Sequence, residues 1–154
     1  MNLAYAILLC LHVLAAAFWV GGMAALHFAV RPAAVERLEP PQRLAFFDAA
    51  LSRFFVGVTL AIAVILVSGP AMIVLAGGLA RMHLGVAWML LIGLVMMGLF
   101  GYARGRPLPR LRRAVAAGEW PAAAAQLAAI RRLVEVNLLL GALVFVAALV
   151  GRAV

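Results

Sequence analysis

The sequence predicts an all-α, integral membrane four-helix bundle, and three observations lead there. The 154-residue chain is 68% hydrophobic and only 12% charged, with a mean hydropathy of +1.16, a composition far from that of soluble domains. Four apolar runs each reach the roughly 20 residues that cross a bilayer core about 30 Å thick. The cationic side chains are thirteen arginines, with no lysine, and they cluster beside those runs as membrane topology demands.

Span one covers residues 3–30, with no charge before Arg31. It lacks the basic start of a secretory signal and is too long to be one. Helix is expected to continue through RPAAVERL until Glu39, Pro40 and Pro41 stop it. The chain re-enters as PQRLAFFDAALSRFF, where Leu44, Phe47, Leu51 and Phe55 recur at helical spacing. Span two follows at residues 54–76, and Pro70 of "SGP" predicts a kink near its far end.

"AGGLARMH" reads as a turn into span three, residues 83–103, which "RGRPLPR" ends. Gly85, Met89, Gly93, Met97 and Gly101 form one ridge of small and soft side chains, expected to favour close helix contact. LRRAVAAG reads as a short basic helix closed by Gly118, and Pro121 opens the helix that becomes span four, residues 133–151. The whole chain, 1–154, is thus one transmembrane domain, with helical extensions at 31–53 and 108–132 on the inner side.

Eleven of the thirteen arginines lie in or beside the loops joining spans one to two and three to four, leaving Arg81 and Arg152 on the other side. This asymmetry places both termini in the periplasm of a multi-pass inner-membrane protein. The formal charge of +8 therefore answers to topology and lipid, with no nucleic acid implied. The single Cys10 excludes an internal disulfide and a cysteine metal cage, and reads as packing. No zinc spacing, nucleophile elbow or phosphate-binding loop occurs, and no catalytic residue is assigned.

His12 is the residue that asks for chemistry. It lies nine residues into span one, about 14 Å deep at 1.5 Å per residue. An imidazole at that depth is costly and points to a ligand or proton-handling role. Trp19, seven residues on, shares its face and would cover a bound group. Counting inward from the outer side, Met72 lies about 8 Å and Met89 about 12 Å deep. One His and two thioethers suit Cu(I), whereas His with one Met suits a haem iron. His83, at the outer end of span three, is either a further metal ligand or an exposed anchor. His27 is read as an interfacial histidine, about 22 Å from His12 on the same helix. Arg53 and Glu135, with Asn137 one step deeper, are expected to pair structurally at the inner boundary.

The stretches "LHVLAAAFWVGGMAALHFAVRP", "RFFVGVTLAIAVILVSG" and "RRLVEVN" resemble the CopD-like membrane proteins, the copper-resistance protein D group, in a short four-span form. The resemblance rests on His12, Trp19, Gly21, Gly22, Arg31, Pro32, Arg53, Phe54, Gly69 and Asn137. It implies copper transport or tolerance at the inner membrane, with a periplasmic copper carrier or redox partner; a homo-oligomer is left open. The skeleton is more distantly similar to HemJ-type protoporphyrinogen oxidases, which implies as the alternative a haem b-binding membrane redox protein or a protoporphyrinogen oxidase. Their pattern carries a third-span lysine that this chain lacks.

Overall fold

The computed structural model describes residues 2–78 and 84–150, and every regular element within them is helical. Asn2 starts the first helix, its side-chain oxygen accepting the Ala4 N–H at 3.1 Å, and α1 runs Leu3–Ala25. The helix then widens into a π-helical segment, Leu26–Val30, before α2, Arg31–Arg37. Pro32 accounts for the widening: it has no N–H, and its ring would press on the carbonyl one turn back. These three pieces form one 35-residue rod, Leu3–Arg37.

Leu38 breaks the rod in extended conformation, and Pro40 and Pro41 occupy the first positions of α3, Pro40–Leu75. At 36 residues, α3 is about 54 Å long, well beyond the ~30 Å of a hydrocarbon core. Helix runs through Pro70 without a break, leaving the Leu66 carbonyl without its usual donor. Gly77 ends α3 at φ 104°, while the Gly78 N–H reaches back to the Ile73 carbonyl at 2.9 Å.

Helix α4 covers Leu84–Gly105 and α5 covers Pro107–Ala116. The loop expected at "RGRPLPR" is a one-residue joint, because Arg106 keeps its N–H bonded to the Tyr102 carbonyl at 2.9 Å and Pro107 is a favourable helix opener. Gly118, at φ 70°, closes α5 as its place at the end of LRRAVAAG predicts. The Glu119 N–H bonds the Ala114 carbonyl at 2.9 Å, and α6 follows as Trp120–Val150.

Among the described residues, three rods are long and apolar enough to cross a membrane: Leu3–Arg37, Pro40–Leu75 and Leu84–Ala116. The expected fourth crossing, residues 133–151, runs past the described end. Helix α1 packs chiefly on α3, and α6 on α4 and α5. They meet at a core containing Trp19, Met23, Phe55, Met96, Phe100, Leu111 and Ile130. Phe100 is stacked on Phe55 at 5.0 Å and edge-on to Trp19 at 5.9 Å. Leu60, Val67, Leu84 and Leu139 are exposed, as lipid-facing positions require.

Close helix approach does not occur along the α4 ridge. A Cβ on Gly93 or Gly101 would meet nothing within 4 Å, although Met97 between them packs against the core. The tight positions are Gly22, which lies against the Phe54 ring, Gly57 against Phe18, and Gly141 against Val20 and Met96. Small residues there let backbones approach across helices where only van der Waals packing drives association.

Candidate functional site

His12 faces α3, and its Nδ1 lies 2.9 Å from Ser68 Oγ. The Ser68 hydroxyl has one proton, which it donates to the Val64 carbonyl at 2.6 Å; the Ile65 carbonyl, at 3.5 Å, is a marginal second acceptor. Ser68 Oγ therefore accepts from the imidazole, and Nδ1 carries the proton. The neutral ring is left with a lone pair on Nε2, the tautomer a metal ion can bind. Ser68 is 2% exposed, so no lipid or water competes for this arrangement.

Gly69 makes the approach possible. A Cβ there would lie 3.3 Å from His12 Cε1, tight enough to push the ring away. Met72 stands one turn beyond Ser68 on α3, half-buried, so a thioether follows the imidazole's partner on the same stripe. Met89 is half-buried on α4, a helix that packs on α6 and α5 and not chiefly on α1. Nothing in the geometry joins it to His12. His83 lies outside the described residues.

Trp19 does share the stripe of His12, with Ala15 and Met23 buried beside it. Its indole is nevertheless fully engaged against Phe100 and covers the core at that level, about 10 Å deeper along the helix. Cys10 is exposed and takes no part in the core, against its expected packing role. Among the described residues no group of three His, Cys, Asp or Glu side chains converges on one point. Any metal here would rest on the His and thioether donors.

The arginine-rich end of the bundle is wired differently from expectation. Arg53 is exposed and does not meet Glu135. Glu135 instead lies 3.5 Å from Arg131, one turn back on α6, and 3.9 Å from His27 Nδ1 in the π segment. Geometry explains the exchange, since an i, i+4 partner is always within reach whereas Arg53 points off the bundle. Asn137 is buried and ties α6 to α4, Nδ2 donating to the Met96 carbonyl at 3.2 Å. Arg104 does more than face solvent: Nη1 donates to Thr59 Oγ1 at 2.9 Å and to the Phe55 carbonyl at 3.3 Å, joining α4 to α3.

The sequence reading missed Ser68, Gly69 and Arg104 as partners. A depth count would have exposed Ser68, which lies seven residues before the C-terminal end of α3, about 10 Å along the helix and comparable with the distance of His12 from the start of α1. Residues 48–150 match the family model of copper resistance protein D. No curated protein and no solved structure matches the chain. The matched region takes in Ser68, Gly69, Met72 and Asn137, while His12 lies before it. With two thirds of its length, from the first quarter of α3 to the end of α6, described by that one model, the chain belongs to the copper resistance protein D (CopD) family.

Proposed function

We propose that the protein handles copper as cargo, in transport or tolerance, through a site in the outer half of the bundle built on His12 Nε2 and the Met72 thioether. One observation carries the reading: the His12–Ser68–Val64 relay presets the imidazole tautomer and leaves Nε2 as the free donor. Imidazole and thioether together are a soft pair suited to Cu(I). Two donors hold an ion loosely enough to pass it on, which suits cargo better than a resident cofactor. Met89 and His83 are further donors on α4 and just before it, available if the helices close on the ion.

In this proposal α6 is the fourth crossing, the protein sits in the inner membrane, and both termini lie in the periplasm. The site is then within reach of a periplasmic copper carrier, while the arginine-rich ends anchor the opposite side. Family membership supports the copper connection, and the Nε2 lone pair supports the choice of His12 as a ligand.

The test is elemental analysis and visible spectroscopy of the detergent-purified chain after Cu(I) loading. Bound copper without a Soret band is the expected result. His12→Ala should remove that copper, and Ser68→Ala should weaken it by about 10–100-fold, the usual effect of deleting a group that orients a metal ligand. Full copper occupancy in His12→Ala would overturn the site. A Soret band in the wild type would replace the copper reading with haem b.

A further inference from the structure

The opposite end of the bundle holds a second feature, independent of copper. A cavity of about 230 Å³ opens between the π segment, the first half of α3 and the first half of α6. Three arginines from three different elements line it, Arg31, Arg43 and Arg131, together with His27. No acidic residue lines it. Arg31 and Arg43 have no ion pair or side-chain hydrogen bond among the described residues; Arg131 has one carboxylate neighbour, Glu135. Each arginine is partly buried, so three like charges share a half-enclosed space with one carboxylate, Glu135, beside them. The excess positive charge favours an anion there.

Its level in the membrane and its walls identify the anion. Arg31 lies 28 residues along the rod from Leu3, about 42 Å, which matches the ~40–45 Å of a bilayer with its headgroup layers. Below Arg43 on α3, toward the membrane interior, the lining continues as Leu44, Phe47 and Leu51, and below Arg131 on α6 as Val134. Charge at headgroup height above an apolar wall is the complement of an anionic amphiphile. The volume is below the about 300–1,000 Å³ that encloses a drug-sized ligand, so it takes a headgroup and leaves the chains outside, along the apolar faces.

We propose that this cavity binds the phosphate of an anionic phospholipid, clasped by Arg31, Arg43 and Arg131, with the acyl chains outside it along the lipid-facing surface. Arginine suits the task because its planar fork pairs two phosphate oxygens at once. The π segment contributes by placing Arg31 and His27 at the cavity, since a one-residue change of register rotates everything beyond it.

The experiment uses the full chain in detergent, with native mass spectrometry reading retained lipid. Phosphatidylglycerol should be kept in preference to phosphatidylcholine of the same chain length. Arg31→Gln, Arg43→Gln and Arg131→Gln should each lower that preference about fivefold, in line with the contribution of one basic residue near an anionic surface. The exposed arginines Arg110 and Arg132 serve as charge-matched controls and should change little as Gln variants. Ala128→Phe fills the cavity while leaving every charge in place, and should also abolish the preference; it covers the case in which an arginine variant fails to fold. Equal retention of the two lipids would overturn the proposal, as would controls that match the cavity variants. Displacement of the lipid by millimolar inorganic phosphate regardless of chain length would assign the cavity to free phosphate instead.

Discussion

At the residue scale, one hydroxyl proton decides what His12 is able to do. Had Ser68 been free to donate to the imidazole, Nδ1 would accept and Nε2 would carry the proton, useless to a metal. The Val64 carbonyl removes that option because it takes the proton one turn back along α3. Gly69 is the steric half of the same device. Gly69→Val should therefore lower Cu(I) occupancy by about tenfold while removing no donor, and Gly69→Ala by less, since its Cβ contact at 3.3 Å needs a shift of only a few tenths of an ångström. Titration of purified variants with Cu(I) reads this directly. Unchanged occupancy in Gly69→Val would mean that the ring binds nothing where it sits.

At the element scale, prolines and glycines set where the rods begin, widen and stop, and much of this was legible. The Glu39–Pro41 break and the Gly118 closure stand where the sequence predicts them. On the α4 ridge, Met97 packs on the core while Gly93 and Gly101 meet nothing, because spacing identifies a face without saying what lies opposite each position. Two substitutions separate the cases. Gly141→Ala should destabilise by about 1–3 kcal/mol through overpacking, as its Cβ would come within 2.7 Å of Val20. Gly93→Ala, with nothing within 4 Å, should be neutral or stabilising by up to about 1 kcal/mol. Thermal unfolding in detergent measures both, and the reverse order would show that α4 meets another surface along that ridge.

At the scale of the whole molecule, the long rods and the arginines argue for one orientation. Helices α3 and α1–α2 exceed the bilayer, and their surplus lies at the arginine-rich end. A C-terminal reporter should accordingly be active in the periplasm and silent in the cytoplasm. Cytoplasmic activity would invert the molecule, moving the His12 site to the inner half and the arginine cavity to the outer leaflet.

The all-α class and the breaks at Glu39–Pro41 and Gly118 were readable from sequence, because each depends on local composition or turn chemistry, quantities that add up along one chain. What only the tertiary structure decided is partnership: Ser68 for His12, Arg131 and His27 for Glu135, Thr59 for Arg104, and three arginines around one cavity. The physical reason is rotational. A depth count fixes a residue's height in the membrane but not its azimuth on the helix, and a π segment or a one-residue joint such as Arg106 resets the azimuth of everything beyond it.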